Sequence, residues 1–217
     1  LIVADPHKGV IVRAALATGE AKPLAELRDD GDPQFPPQLA MSPDGTRFVY
    51  TARHVEEDFC EVWIVTRQKK GSEASMFTEV PGGAVFILPF WSPQGVSLGL
   101  HIIHAERERT ATIAIARLEG EGQIVYQNPR LDPGRTPLWG PSGKAMVLFS
   151  TPKARSEMDK TGPACLSILD LSKGPEQTPE PLTEPGELEG GLHFLSDRVI
   201  AVDGGPVGHV LTLASPV

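Results

Sequence analysis

The sequence has 217 residues, of which 28 are Asp or Glu and 20 are Lys or Arg, so its formal net charge at pH 7 is -8. Because the basic residues do not form a stripe interleaved with aromatic residues, this acidic balance argues against nucleic acid as a partner. Hydrophobic residues make up 40% of the chain, but no apolar run approaches the roughly 20 residues of a membrane-spanning helix, which excludes insertion through such a helix.

The first predicted elements are two short strands. The chain opens with LIVAD, and GVIVRAAL follows from Gly9. Both stretches are rich in the aliphatic and β-branched residues that favour strands. LIVAD corresponds to the second strand of a repeated unit, so we expect the first half of that unit to lie before residue 1.

The next predicted element is a tight turn within MSPDGTRFVYTA, from Met41 to Ala52. Pro43 favours the first central position of a type I turn, Asp44 can bond its own backbone, and Gly45 tolerates the left-handed conformation that closes such a turn. The strand that follows alternates aromatic with β-branched residues. This pattern predicts a strand buried on both faces.

The same turn recurs along the chain. FWSPQGVSLGLHII begins at Phe90 and LWGPSGKAMVLFST at Leu138, with spacings of 50 and 48 residues between the turn prolines. LHFLSDRVIAVD, from Leu192, is a weaker copy with a shortened turn. We expect Ser42, Ser92 and Gly140 to occupy equivalent turns between first and second strands. We also expect the preceding residues to pack between adjacent units; they are Met41, Trp91 and Trp139.

Further strands follow each copy after a variable polar loop. The third strands are predicted in EVWIVTR, TATIAIARL and CLSILDL and, at the two ends of the chain, in GVIVRAAL and HVLTLAS. Fourth, poorer strands are predicted in ASMFTEV, GQIVYQN and EPLTE. A meander of four antiparallel strands that repeats every 40 to 50 residues or so is what a β-propeller blade requires. The Pro-rich stretch from Ser172 to Gly191 is predicted to be a solvated loop.

The motif itself points to a family. An apolar or aromatic residue followed by Ser-Pro-Asp-Gly and a β-rich run resembles the repeat of WD40-like propellers of the TolB type, which also builds the propeller domains of prolyl-oligopeptidase-type peptidases. The motif is nearly complete at Met41, good at Trp91, degraded at Trp139 and only a trace at Leu195. The resemblance implies an all-β fold, a β-propeller of four-stranded antiparallel blades. It carries no activity, because this fold serves many.

About four to five blades are visible, and the ring they form is expected to be incomplete. We expect one propeller domain, or a segment of a larger propeller, over residues 1–217, with approximate units 1–34, 35–82, 83–132, 133–186 and 187–217. Three complete blades flanked by two partial ones, and a first residue in mid-strand that is not Met, favour the segment. An open blade edge would then be covered by another chain or domain.

The two cysteines bear on the compartment. Cys60 and Cys165 fall about two blades apart in the repeat alignment, too far for a disulfide of normal geometry. Unpaired thiols fit a reducing compartment, or are simply core-packing residues. TolB-type relatives are periplasmic, so the resemblance implies a periplasmic or other extracytoplasmic location, with the cytoplasm as the alternative.

The sequence offers no catalytic constellation. It lacks a G-x-S-x-G nucleophile elbow, so the peptidase chemistry that accompanies some of these propellers is not expected in this chain. His101 and His104 fall on opposite faces of a strand, unlike a zinc-binding pair on a helix, and are expected to be surface or strand-end histidines. DDGDP, from Asp29 to Pro33, lacks the spacing and terminal Glu of a calcium loop. We therefore expect no cofactor, no metal and no enzymatic activity.

The loops suggest where a partner binds. In a propeller the loops from second to third strand share one rim with those that lead into the next blade, and here they are long and charged. Variable loops on a rigid scaffold commonly carry recognition. The candidate partner-binding residues of this rim are Arg53, His54, Glu56, Glu57, His104, Glu106, Arg107, Lys153 and Arg155.

The sequence supports two alternative functions for the propeller. The first is a non-catalytic scaffold that binds a protein or peptide at the rim, as the TolB resemblance implies. The second is an accessory propeller of a larger prolyl-oligopeptidase-type hydrolase, where it gates or positions substrate for a catalytic domain outside this chain. An α/β-hydrolase segment with a nucleophile elbow in the intact polypeptide would favour the second.

Overall fold

A computed structural model of the chain describes residues 1–5, 8–27, 36–54, 58–80, 84–104, 111–119, 123–127, 131, 135–151, 164–186, 191–196, 198–203 and 209–213. These residues form 18 β-strands and no helix. None of them therefore belongs to a helix long and apolar enough to span a membrane. The chain divides into two compact units, Leu1–Phe90 and Trp91–Val217.

The strands form antiparallel meanders in which consecutive strands pair, three of them with four strands and two with three. The first sheet contains β1 (Ile2–Asp5), β2 (Val10–Ala14) and β3 (Ala21–Glu26). The second contains β4 (Leu39–Met41), β5 (Arg47–His54), β6 (Phe59–Arg67) and β7 (Ser72–Val80). The third contains β8 (Ala84–Trp91), β9 (Ser97–His104), β10 (Ala111–Arg117) and β11 (Gln123–Gln127).

The fourth sheet contains β12 (Leu138–Trp139), β13 (Ala145–Ser150), β14 (Cys165–Asp170) and β15 (Glu180–Pro181). The fifth contains β16 (Gly191–Ser196), β17 (Val199–Asp203) and β18 (His209–Thr212). This architecture confirms the all-β prediction and every predicted third and fourth strand. The exact units inferred from the repeat spacing, and the single domain, stay predictions.

The three motif turns share one set of backbone hydrogen bonds. Ser42 N donates to Arg47 O at 2.9 Å, and Gly45 N donates to Ser42 O at 2.9 Å. The same two bonds recur in the turns that begin at Ser92 and Gly140, with lengths of 2.8 to 2.9 Å. The glycines that close the turns have φ of 68°, 68° and 71°, the left-handed region that glycine enters without steric cost. The predicted equivalence of these turns is confirmed.

The residue that precedes each turn is not equally buried. Trp91 and Trp139 are 8% and 6% exposed, whereas Met41 is 43% exposed. The prediction that all three pack between adjacent units is therefore wrong for Met41. A shared register fixes the backbone of the turn, but it does not fix what covers the side chain before it.

Sequence analysis also missed β3. The stretch AKPLAE has Pro23 in its interior and is mostly exposed, so it lacks both the alternation and the composition of a strand. It lies at the outer edge of the first sheet, where a proline is tolerated because the free side of the strand has no ladder hydrogen bond to lose.

The core lies between the faces of neighbouring sheets. Ile11 of β2 packs with Phe48 and Tyr50 of β5 and with Trp63 of β6. In the second unit, Val147, Phe149, Leu166 and Ile200 form a corresponding cluster between β13, β14 and β17. In the second, third and fourth sheets the second and third strands are thus mostly buried on both faces, as in the stacked blades of a propeller.

Candidate functional site

Three of the nine candidate rim residues lie in the part of the chain that the structure describes. Arg53 and His54 end β5, and His104 ends β9, so each precedes the loop to which the sequence assigned it. The remaining six lie outside the described residues: Glu56, Glu57, Glu106, Arg107, Lys153 and Arg155. The Asp29–Pro33 stretch also lies outside them.

One face of the β5–β6 hairpin carries aromatic and ionisable groups next to the rim. His54 lies opposite Phe59 in the ladder, and their rings stack with centroids 4.6 Å apart. Glu61 Oε2 lies 3.2 Å from His54 Nε2 and accepts a hydrogen bond from Trp63 Nε1 at 2.7 Å. The Trp63 ring in turn stacks on Tyr50, with centroids 6.4 Å apart.

The Glu61 carboxylate is therefore fixed between an imidazole and an indole. Only 16% of its side chain is exposed, and 22% of the His54 side chain. The two groups form an ion pair when His54 is protonated, and partial burial makes such a pair stronger than one in open solvent. This His54–Glu61 cluster can present a charge at a fixed position.

The opposite face of the hairpin ties β5 to the first residue of β8. Arg53 Nη1 donates to Ala84 O at 2.6 Å, and Arg53 Nη2 lies 3.6 Å from Asp58 Oδ1. A bond from a charged donor is stronger than a neutral one. Asp58 has a φ of 51°, a left-handed conformation that Asp adopts more readily than most residues. Arg53 is thus a fixed part of the rim.

A depression beside Arg53 is lined by residues that lead into or follow β4, β5, β6 and β8. The enclosed part of it has room for about one water molecule, far less than a small-molecule site needs. Its lining consists of Pro36, Gln38, Thr51, Arg53, Cys60, Ala84, Phe86 and Ile87.

The two histidines of β9 differ from each other. His104 Nε2 lies 3.0 Å from Thr112 Oγ1 of β10, as expected of a satisfied histidine at a strand end. His101 is 1% exposed and lies inside β9 opposite Ile113. The expectation of a surface or strand-end residue is therefore wrong for His101, because the apolar run around it is buried on both faces.

Both cysteines are buried and neither forms a disulfide, as predicted. Cys165 Sγ donates to Ser150 O at 3.4 Å, and Ser150 Oγ and Ser167 Oγ lie 2.6 Å apart. These three polar side chains satisfy one another inside the β13–β14 hairpin. Among the described residues, no group of three or more His, Cys, Asp or Glu side chains could hold a metal ion.

Sequence analysis missed Glu61 and Trp63 as rim residues, because EVWIVTR reads as an ordinary buried strand. The alternation along β6 was the available signal. It assigns both residues to one face with Phe59, and the hairpin pairing then adds His54 to that face.

Comparisons with known proteins bear on the fold. No protein-family model and no curated protein matches this chain. The structure of TolB from Acinetobacter baumannii matches with a TM-score of 0.55 and 17% identity, over 99% of this chain and 52% of that one. A prolyl endopeptidase structure matches with a TM-score of 0.61 and 16% identity, over 96% of this chain and 31% of that one.

A third match is an oligogalacturonate lyase in complex with manganese, with a TM-score of 0.61 and 16% identity, over 94% of this chain and 54% of that one. These likenesses confirm the β-propeller class and the resemblance to TolB-type propellers. This chain spans about half of the TolB and lyase chains and about a third of the endopeptidase. A fold shared by such different proteins does not decide an activity.

Proposed function

We propose that this chain is a non-catalytic β-propeller scaffold that binds a protein or peptide through the loops of one rim. The observation that carries the proposal is the rim end of the β5–β6 hairpin. There Arg53 donates an interstrand hydrogen bond, and His54 lies against the Glu61 carboxylate and stacks on the ring of Phe59. A rigid polar base beneath variable charged loops is the usual arrangement of a recognition surface.

The chemistry of the rim favours a polar protein partner. The depression beside Arg53 has room for only about one water molecule. This small volume supports a contact across the protein surface rather than binding of a small molecule in an enclosed site. The candidate loops mix acidic and basic residues, whereas a membrane-docking face would carry a basic excess. We expect no cofactor, and we expect an extracytoplasmic location, as the resemblance to TolB-type propellers implies.

The second candidate is an accessory propeller of a larger prolyl-oligopeptidase-type hydrolase. The match to a prolyl endopeptidase over 96% of this chain favours it. Residues outside this chain would then supply the nucleophile. The intact polypeptide decides between the two candidates, since only the second requires a G-x-S-x-G segment elsewhere in it.

Charge reversal in the rim loops tests the scaffold proposal. Glu56→Lys, Glu57→Lys, Arg107→Glu and Arg155→Glu, combined in one variant, leave the net charge unchanged. We expect the immobilised variant to capture about 10-fold less partner from cell extract, measured by quantitative mass spectrometry. Each change alone should weaken binding by about 1 kcal/mol or less, because exposed charges contribute little individually.

The matched control reverses four exposed charges at the opposite end of the sheets. It combines Lys70→Glu, Glu73→Lys, Arg117→Glu and Glu119→Lys, and we expect it to capture partner at the level of the wild type. Circular dichroism checks that both variants fold. Equal capture of partner by the two variants would show that the partner does not bind at the proposed rim.

A further inference from the structure

The outer strand of the second sheet has an unprotected free edge. β7 is the end strand of its sheet and has nine residues, against six, five and two in the outer strands β3, β11 and β15. β3 contains Lys22 and Pro23, and β15 ends in Pro181. Such residues keep a strand edge from pairing with another chain. Since β7 contains no proline, lysine or arginine, it is the outer strand best able to accept a further strand.

The ladder to β6 identifies the backbone groups on that edge. Arg67 N donates to Thr46 O at 2.8 Å, on the side away from β7. Arg67 lies opposite Ser72, and in such a pair both residues turn their N–H and C=O groups away from each other. The pattern repeats at every second residue, so Ser72, Ala74 and Met76 direct these groups to the free edge. The pairing is uninterrupted from Ser72 to Met76.

The same residues turn their side chains toward the first sheet. Ala74 and Met76 lie opposite Val65 and Trp63, and the latter two pack with Ile11 of β2. Residues directly opposite in a ladder share a face, so Ala74 and Met76 lie on the face that meets the first sheet. Ala74 is exposed and Met76 is 48% exposed. A ligand at the edge can therefore reach both side chains.

A cleft separates β7 from β3 on this face. Ser72 Oγ donates to Leu24 O, and Tyr50 Oη donates to Glu26 O at 3.3 Å, so hydrogen bonds hold both strands beside it. Its volume of about 210 Å³ would hold several water molecules but is below the range of drug-sized pockets, so it suits a single side chain. The described residues that line it are Leu24, Ala25, Glu26, Tyr50, Ser72 and Ala74, of which Glu26 is the charged one.

We propose that the free edge of β7 binds an extended peptide segment with a basic residue at its centre, which adds a fifth strand to the second sheet. The basic residue lies opposite Ala74 and exchanges two backbone hydrogen bonds with it, as in β-strand addition. Its side chain then lies on the face of Ala74, so its apolar stem enters the cleft and its cation meets the exposed Glu26 carboxylate. A net charge of -8 favours such a basic segment. This surface is separate from the rim.

The test measures binding of a fluorescein-labelled peptide, Thr-Val-Thr-Lys-Thr-Val-Thr, by fluorescence anisotropy. Its palindromic sequence places lysine at the centre whichever way the strand runs. We expect the wild type to bind it, and to bind a version with glutamate in place of lysine about 10-fold more weakly or less.

Backbone methylation of the peptide separates strand addition from charge attraction. A methyl group on the lysine backbone nitrogen removes a hydrogen bond to Ala74 and obstructs the approach, so it should weaken binding about 10-fold or more. Methylation of a neighbouring threonine nitrogen is the matched control, because that N–H points away from β7, and it should change binding little.

Two variants of the protein probe the backbone edge and the cleft. Ala74→Pro removes an outward N–H and leaves the ladder to β6 intact, so binding should weaken about 10-fold or more while the Tm changes by no more than a few degrees. Glu26→Gln should weaken binding about 3-fold. Glu20→Gln is its matched control, since Glu20 is an exposed glutamate that precedes the same strand and pairs with Lys22, and it should bind as the wild type does.

Hydrogen exchange measured by NMR checks the register. With the peptide bound, the outward amides of Ser72, Ala74 and Met76 should exchange about 10-fold more slowly or less. Those of Glu73 and Ser75 already point to β6 and should change much less. The proposal is overturned if the wild type does not bind the peptide at millimolar concentration, if methylation of the lysine nitrogen leaves binding unchanged, or if the amides show no such alternation.

These outcomes are independent of the rim reversal. The variant with four reversed rim charges should bind the peptide as the wild type does, because none of the four residues belongs to β7. Loss of partner capture in that variant with unchanged peptide binding would support both proposals. Absence of peptide binding by the wild type would overturn the edge site and leave the rim proposal as it stands.

Discussion

Asp44 organises its turn through three hydrogen bonds to one carboxylate. Its Oδ1 accepts from Ser42 Oγ at 2.6 Å and from Thr46 N at 3.0 Å, and its Oδ2 accepts from Thr46 Oγ1 at 2.8 Å. These bonds, led by that from Ser42, lower the pKa of Asp44 from 3.8 to about 2. Gln94 and Ser142 stand at this position in the other two turns, so only the first has a titratable group there.

The pH dependence of stability follows from that lowered pKa. A carboxylate whose pKa is lower in the folded state contributes stability that is present above its unfolded pKa and is lost as the pH falls through the folded value. We expect the loss of stability from pH 4 to pH 2, measured by urea unfolding, to be smaller in Asp44→Asn than in the wild type. Parallel profiles for the two proteins would show that Asp44 contributes nothing.

The contribution of the turn-closing glycine to stability can be measured by replacing it. A Cβ at Gly45 would meet nothing within 4 Å, so Gly45→Ala should destabilise the protein by about 1 kcal/mol through its left-handed φ alone. Gly45→Asn should cost less, because Asn enters this region more readily. Urea unfolding of the wild type and the two variants measures both losses. An unfolding free energy of Gly45→Ala equal to that of the wild type would contradict this prediction.

Gly143 should be less tolerant than Gly45. A Cβ there would collide with Oε1 at the end of the exposed Gln94 side chain, which could move aside only by disturbing the bond from its Nε2 to Pro141 O at 3.0 Å. Gly143→Ala should therefore lose more unfolding free energy than Gly45→Ala in the same assay. Equal losses would indicate that the Gln94 side chain moves aside without cost.

At the scale of the elements, Arg53 joins one strand to the start of another. Its bond to Ala84 O is partly buried, and removal of a charged donor leaves that carbonyl without this partner. We expect Arg53→Met to lower the unfolding free energy by about 1 to 3 kcal/mol, although it keeps most of the aliphatic packing. Chemical denaturation measures the unfolding free energy, and an unchanged value would show that the bond contributes nothing measurable to stability.

The strands and turns were predictable because their signals are local. Pro43, Asp44 and Gly45 specify a turn whatever surrounds them, and the buried alternation after it specifies a strand. The exposure of Met41 and the bond from Arg53 to Ala84 depend on which residues of neighbouring strands come into contact. No local pattern encodes these contacts, so the sequence predicted the strands and the turns between them but not the contacts from one strand to another.

At the scale of the whole molecule, burial differs systematically between inner and outer strands. Residues of β5, β9, β10 and β13 are buried on both faces, whereas those of β3, β7 and β15 are mostly exposed. Backbone amides exchange through local openings that need less free energy where few apolar contacts must break. Hydrogen exchange should therefore be slowest in the first group and fastest in the second. Uniform protection would indicate that the molecule opens only as a whole.

The two cysteine thiols are natural probes of the same local openings. Cys60 belongs to the unit Leu1–Phe90 and Cys165 to the unit Trp91–Val217, and the chain has no other cysteine. A buried thiol reacts with an alkylating reagent only after its surroundings open. The two alkylation rates therefore report the local opening of each unit separately. A partner that binds one unit should slow the alkylation of the cysteine in that unit, so the two rates identify which unit the partner binds.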